Sequence, residues 1–451
     1  ILPDDELLEI VTFIVEYPVA IRGSFSRDFL ALPREVLISA MREHQRYFSL
    51  TDANGTLLPY FVTISNTRPR DPNVVARGNE RVLQARLSDA NFFFVEDRKI
   101  PLIQRLEGLK RVVYHSKLGT SYEKVMRISD LATYLTERID PSLQETVKQA
   151  SLLCKCDLIT GMVGEFPNLQ GVMGRIYALL SGEKEAVALA IYEHYLPTSA
   201  GGAIPSSHPG AILSIADKFD TIVGCFGVGL IPTGTADPYA LRRQTLGIIN
   251  TILEKRYLFS LSQLIERSLE LLAEKIERPP REIKTDVLEF FKGRLQNLLS
   301  SKGLSPDALE AALAVGFDDI VDLQERTKAL HSLRNEPDFE SLAIAFKRVV
   351  NISKSHTPQE IDPRRFESEV EGKLFEAYRT TAQKAWEKIA RKDYPAALKE
   401  LSSLRQPVDE FFAGVMVMAE DEKIKNNRLS LLSSISQLFF KIGDFSKIST
   451  S

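Results

Sequence analysis

The sequence predicts a mainly α-helical, multidomain protein with an α+β module at its N-terminal end. Three observations predict it. The chain has 451 residues, more than one hydrophobic core ordinarily supports. Apolar residues recur at helical spacing through most of the chain beyond about residue 111. A turn-flanked, β-rich run falls within the first hundred residues. A composition of 44% hydrophobic and 26% charged residues is that of a globular protein. No run approaches the roughly 18 apolar residues of a membrane span.

The elements follow in order. Residues 30–48 read as a helix, with Pro33 near its first position and Val36, Leu37, Ala40 and Met41 at helical spacing. Asp52-Ala53-Asn54-Gly55 is turn chemistry, and residues 57–65, with Phe61, Val62 and Ile64, read as a strand. Val125, Ile128, Leu131, Ala132 and Leu135 then mark an amphipathic helix, and Ala186, Ala190 and Ile191 another. A Pro-, Gly- and Ser-rich loop at 196–210 separates two helical blocks. A second break, 224–238, holds four Gly and two Pro, with 224–234 read as a flexible connection. It ends at Asp237-Pro238, read as N-cap and first residue of a helix that buries Leu241, Ile248, Ile249 and Ile252. Residues 258–330 are helical and charged, 335–339 reads as a hinge, and a helical bundle follows from 342. One of its apolar stripes is Phe411, Phe412, Val415, Met418 and Ala419. The expected division is 1–110, 111–255, 256–335 and 336–451.

Charge and chemistry narrow the function. The formal charge of −3 denies the chain a globally basic surface, so any nucleic-acid contact uses local patches. Residues 68–127 carry thirteen Lys or Arg against seven Asp or Glu, a local excess of six that suits phosphates or simply a solvated face. Three cysteines, Cys154, Cys156 and Cys225, make no disulfide framework or zinc ribbon and suit a reducing compartment. There is no phosphate-cradling glycine loop and no nucleophile elbow. Arg42 to Phe48, with His44, Arg46 and Tyr47, mixes cations, an amide and aromatics that could meet phosphates and bases. Cys156, Asp157, His194 and Asp217 resemble the metal-ligand layout of the HD phosphohydrolases, with Cys156-Asp157 where a His-Asp pair would stand and Lys155 adding a cation. They are read as a degenerate site in an HD-like helical domain without metal. A metal-dependent HD phosphohydrolase is the alternative. An arginyl-type synthetase is disfavoured because no ATP-binding signature is present.

Three groups of motifs carry a closer resemblance. The first is 41–48 with 78–94 (GNERVLQARLSDANFFF). The second is 165–174 (EFPNLQGVMG), Glu193-His194-Tyr195, 216–220 (ADKFD) and 237–243 (DPYALRR). The third is 407–412 (PVDEFF), 415–421 (VMVMAED), Asn427-Arg428-Leu429 and 444–448 (DFSKI). In this order they resemble the beta subunit of two-chain bacterial-type glycyl-tRNA synthetase, across nearly the whole chain. One departure is Gly201-Gly202 where Gly-Asp is expected. A start at Ile1, well inside the expected subunit, reads as an N-terminal truncation.

The resemblance implies a tRNA-contacting α+β module like one in the phenylalanyl-tRNA synthetase beta chain, an HD-like domain, a helical linker and an anticodon-binding bundle like that of arginyl-tRNA synthetase. It implies binding and positioning of tRNA(Gly) in a complex of two alpha and two beta chains, with no catalytic residue in this chain. ATP and Mg2+ are expected at the alpha chain, with no cofactor here and no membrane or DNA partner. The implied compartment is the cytoplasm, or the plastid stroma in a plant. Expected tRNA contacts are His44, Arg46, Tyr47, Arg77, Asn79 and Arg86 in the N-terminal module, and Arg242 and Arg243 at a helix start. In the bundle they are Lys347, Arg348, Asn351, Lys354, Asn427 and Arg428.

Overall fold

The computed structural model describes residues 1–336 and 339–449. Pro337 and Asp338, in the expected hinge at 335–339, lie outside the described residues. The protein is mainly α-helical and divides into two compact units. One comprises Ile1–Ile231 and Ser268–Arg278, the other Pro232–Arg267 and Pro279–Ser451.

In the first unit, three antiparallel strands form a sheet: β1 (Val19–Ser24), β2 (Phe48–Thr51) and β3 (Leu57–Ser65), in the order β1-β3-β2. The β2–β3 turn closes as its composition predicts. Asp52 accepts hydrogen bonds from the backbone N–H groups of Asn54 and Thr56, both at 2.9 Å, and Gly55 takes φ +82°. On β1, Gly23 lies under the Phe61 ring, so close that a Cβ there would sit 2.2 Å from it. The helix expected across 30–48 is shorter, running only Arg34–Arg42 with Pro33 as its N-cap. Arg46, at φ +56°, turns the chain back so that Phe48 opens β2. Two helices pack on this sheet's module. Asp5–Ile14 is joined to Arg34–Arg42 through Arg42, which pairs with Asp4 at 2.8 Å and also with Glu6. Pro72–Asp97 buries Leu83, Leu87, Ala90 and Phe94.

The rest of this unit is a helical block around His208–Gly227, which is buried along nearly its whole length. Against it pack Ser121–Ile139, opened by a Thr120/Glu123 capping box, together with Gln144–Leu153 and Glu185–Glu193. The reading of 224–234 as a connection needs correction at its start, the chain from Val228 to Ala240 being the connection between helices. Gly224 and Gly227 are the last turn of the buried helix, and a Cβ on Gly227 would lie 2.4 Å from Ile276. These glycines permit close packing, not a chain reversal.

The second unit also revises one helix start. The helix Leu241–Lys255 begins three residues later than expected, after Ala240 in the left-handed region. Asp237 still caps it: its carboxylate accepts from the N–H groups of Leu241 at 2.8 Å and Arg242 at 2.9 Å. Farther along, Phe339–Ser353 and Glu422–Phe439 pack through Phe346 and Phe439, whose ring centroids are 3.8 Å apart, with Phe445 closing the cluster. Beside this core, Arg428 is inside the protein. Its guanidinium donates to Glu371 at 2.7 Å, to Glu367 at 2.9 Å and to the Met416 carbonyl at 3.1 Å. Burial alone would raise the Glu371 carboxyl. The Arg428 bond and the N–H groups of Glu367 and Ser368 hold it below the usual range.

Removing the charge from one partner leaves the other buried and uncompensated. Glu371→Gln should destabilise this unit by about 3–5 kcal/mol, and the double change Glu371→Met with Arg428→Met should restore much of the loss. Denaturant unfolding monitored by hydrogen exchange of the Glu422–Phe439 helix checks both outcomes.

Candidate nucleic-acid interface

In the N-terminal module the exposed cations gather around the start of the Pro72–Asp97 helix. Arg68 and Arg70 precede it, and Arg77 and Arg81 stand on its outer face, all exposed. The two acids of this stretch are engaged locally. Asp71 caps the helix by accepting from Asn73 N–H at 2.9 Å, and Glu80 accepts from both the N–H and hydroxyl of Ser24 at 2.8 Å. On β1, exposed Arg22 lies 5.2 Å above the half-buried Tyr60 ring, a cation–aromatic pair that the sequence reading missed. Strand alternation was the signal that could have found it.

The other expected contacts in this module divide. His44 is exposed, with its ring edge toward Phe166 at 6.3 Å. Arg46 is half-buried, beside the Arg42 carbonyl. Arg86 pairs with Glu165 at 2.5 Å. Tyr47 needs correction: it is only 3% exposed, stacks on Phe61 at 4.5 Å and donates its hydroxyl to Asn79 at 2.6 Å. Burial pushes its phenol up to about 12. The Asn79 amide in turn donates to the Val75 carbonyl at 2.9 Å. Tyr47 and Asn79 therefore tie the long helix to the sheet, and no face of Tyr47 is open for stacking on a base.

The expected degenerate site lies in a buried charge cluster. The Asp217 carboxylate receives the ammonium groups of Lys155 at 2.8 Å and Lys124 at 2.9 Å. Asp220 receives Lys124 at 3.1 Å and Arg127 at 2.6 Å. Lys218 donates to the carbonyls of His194 and Leu196 and to the Ser214 hydroxyl. Burial would raise Asp217, but Lys124 and Lys155 outweigh it and hold the carboxyl well below its usual range. Burial, reinforced by Lys155, holds the His194 imidazole well below its own. Its Nδ1 faces the Ile191 carbonyl at 2.5 Å, and its Nε2 lies 3.9 Å from Asp217.

Only His194 and Asp217 of the four named residues meet directly. Asp157 instead accepts the N–H groups of Gly171 at 2.6 Å and Gly174 at 3.0 Å, and Cys156 points its thiol at the Leu152 carbonyl. Lysine ammonium groups occupy both oxygens of Asp217, which a divalent ion would require. Among the described residues, no three His, Cys, Asp or Glu side chains converge as a metal site.

In the second unit, Arg242 is half-buried and Arg243 exposed in the first turn of their helix. On Phe339–Ser353, Lys347 is half-buried while Arg348 and Asn351 are exposed, and Lys354 is exposed just beyond its end. Two residues need correction. Asn427 is buried, accepting from Asp362 N–H at 2.8 Å and donating to the Asp362 carbonyl at 3.1 Å. Arg428 is the buried partner of Glu371. Both hold the bundle together. Conversely, Arg348 lies 4.1 Å above the Phe412 ring, and Met416 and Met418 are 78% and 59% exposed. The sequence reading placed Phe412 and Met418 in a core stripe. The helix Arg405–Gly414 ends before Met418, and Gly414 was the available stop signal.

With this geometry in place, comparison with known proteins is decisive. The family described as glycyl-tRNA synthetase beta subunit matches residues 1–314. The chain belongs to that family. The DALR anticodon binding domain matches residues 342–450. Among curated relatives, the glycine–tRNA ligase beta subunits of Trichlorobacter lovleyi and Geobacter metallireducens are each 55% identical over 448 residues, and that of Syntrophus aciditrophicus is 54% identical over 450. Each alignment covers 99–100% of this chain and 65% of the relative. The chain thus spans about two-thirds of the length of these glycyl-tRNA synthetase beta subunits, falling just short of it. The beta-subunit match embraces the whole helical block that holds Asp157, His194 and Asp217, which sets aside the phosphohydrolase alternative. Among the described residues, no helix is long and apolar enough to cross a membrane.

Asp157 supplies a pH-dependent test of the buried cluster. Burial pushes its carboxyl up to about 6 against the opposing N–H groups of Gly171 and Gly174 and the Lys155 charge. The folded form therefore holds the proton more tightly than the unfolded one. This contribution favours folding at low pH and is lost as pH rises from about 4 through about 6. Relative to the parent, Asp157→Asn should gain on the order of 2–3 kcal/mol between pH 4 and pH 7. Urea unfolding across that range checks it, and a pH-independent difference would contradict it.

Proposed function

We propose that this chain binds and positions tRNA(Gly) for glycylation on a separate alpha chain, acting as the tRNA-holding part of a glycine–tRNA ligase. The observation that carries the reading is the succession of a beta-subunit match over 1–314 and an anticodon-binding match over 342–450 in one chain. Exposed cations at Arg68, Arg70, Arg77 and Arg81 support it as phosphate contacts. His44, Arg46 and Arg86 in the first unit, and Arg242, Arg243, Lys347, Arg348, Asn351 and Lys354 in the second, remain proposed contacts, each unit taken by itself. In this proposal two alpha and two beta chains assemble, ATP and Mg2+ act at the alpha chain, and the setting is the cytoplasm.

The physical work assigned to the chain is alignment. Holding the tRNA so that its terminal hydroxyl meets an activated glycine turns a bimolecular encounter into a nearly unimolecular step. Lys and Arg contacts to phosphates release counterions and make affinity fall with salt. The anticodon, being single-stranded in its loop, offers base faces and edges that a helical bundle can read.

The phosphate contacts are testable through salt. Replacing Arg77 and Arg81 together by Ala should weaken tRNA(Gly) binding several-fold and reduce the slope of log K against log salt by about 1–2. Fluorescence anisotropy titrations between about 50 and 200 mM salt provide the measurement. An unchanged slope removes these arginines from the interface.

A further inference from the structure

The second unit carries a surface that no phosphate contact explains. At its centre is Phe412, with the Arg348 guanidinium 4.1 Å above its ring. Met416 follows four residues on and Met418 six, at most about 14 and 22 Å along the chain, and both stand exposed on either side of buried Val417. The loop is held at its start, because the Met416 carbonyl accepts from buried Arg428 at 3.1 Å. Arg428 is itself locked by Glu371. Two exposed thioethers on an anchored loop, a few residues along the chain from an aromatic ring that carries a cation, offer a stacking surface for a flat, polarisable group.

The charge on this surface is polarised. Arg348 and Lys347 lie on the helix side, while the loop runs into exposed Glu420, Asp421 and Glu422. Asp421 is engaged as the cap of the following helix, accepting from the N–H groups of Lys423 and Ile424. Phosphates would be repelled from the acidic side and drawn to the cationic side. A base presenting an amino donor fits the acidic side, since carboxylates accept from cytosine N4. Glycine codons begin with two guanines, so the complementary anticodon positions are adjacent cytosines.

We propose that Met416, Met418 and Phe412 form the platform on which an anticodon cytosine of tRNA(Gly) stacks, with Glu420 accepting its amino group. This inference rests on the tRNA(Gly)-binding reading and names the surface and one specificity contact within it. Arg428 is a positioning residue for the loop.

The test uses the intact chain and anisotropy titrations with three RNAs: a tRNA(Gly) transcript, the same transcript with both anticodon cytosines changed to uracil, and a tRNA for another amino acid. The parent chain should bind tRNA(Gly) about tenfold or more tightly than the uracil form. The Met416→Ala/Met418→Ala chain should lose about tenfold in affinity for tRNA(Gly). Because both side chains are exposed, it should melt with the parent by circular dichroism. Glu420→Gln offers an amide donor to the O4 acceptor of uracil, so the preference for cytosine should vanish or reverse. If the parent discriminates, the Met416→Ala/Met418→Ala chain keeps its affinity and Glu420→Gln keeps the preference for cytosine, the platform assignment is overturned while the tRNA(Gly) reading stands. If the parent binds all three RNAs equally, both fall.

Discussion

The structure depends on cations being neutralised inside the protein. In the first unit, Lys124, Lys155 and Arg127 converge on Asp217 and Asp220 of the largely buried His208–Gly227 helix. In the second, Arg428 sits between Glu371 and Glu367 and also takes up a loop carbonyl. Moving such charges out of water costs several kcal/mol each unless the partner geometry and remaining hydrogen bonds compensate. Each network therefore fixes one arrangement of the elements around it. Asp217 and Lys155 join the buried helix to the turn that follows Gln144–Leu153, far away in sequence, and Arg428 joins a helix, its neighbour and the loop at Met416.

This internal compensation bears directly on function. A chain with a formal charge of −3 can hold a polyanion only if its cations are unequally distributed. The buried ones are committed to carboxylates. Those at Arg68, Arg70, Arg77, Arg81, Arg348 and Lys354 are exposed. In the proposed function the exposed set meets phosphates, while the neutralised set maintains the geometry that aims it. At Asp217 both carboxylate oxygens are taken by lysine ammonium groups, those of Lys124 and Lys155. A lysine needs no bound ion to neutralise a carboxylate, so the helices there are held by side chains alone.

Much of the fold was legible because local signals and tertiary context agree. Leu57–Ser65 has β-rich composition, follows an Asp-x-Asn-Gly turn, and is the central strand. Val125, Ile128, Leu131, Ala132 and Leu135 are all buried on one helix. The failures occurred where one residue type serves two purposes. Gly224 and Gly227 read as breakers but act as close-packing sites within a helix. Asp237 does cap a helix, through a turn that the Pro at 238 disguised. Tyr47, Asn427 and Arg428 have the chemistry of RNA contacts, and only their distant partners Phe61, Asp362 and Glu371 reveal that they face inward. Burial of polar side chains depends on such long-range contacts, which periodicity does not encode.

The proposed function is a division of labour, in which this polypeptide would supply grip on an RNA and bond-making would belong to another chain. Glycine-dependent exchange of pyrophosphate into ATP, measured on the purified chain alone and again with an alpha chain and the beta subunit of a relative, tests it most directly. The account predicts no exchange by the chain alone and exchange once the alpha chain is present. Turnover by the isolated chain would contradict it.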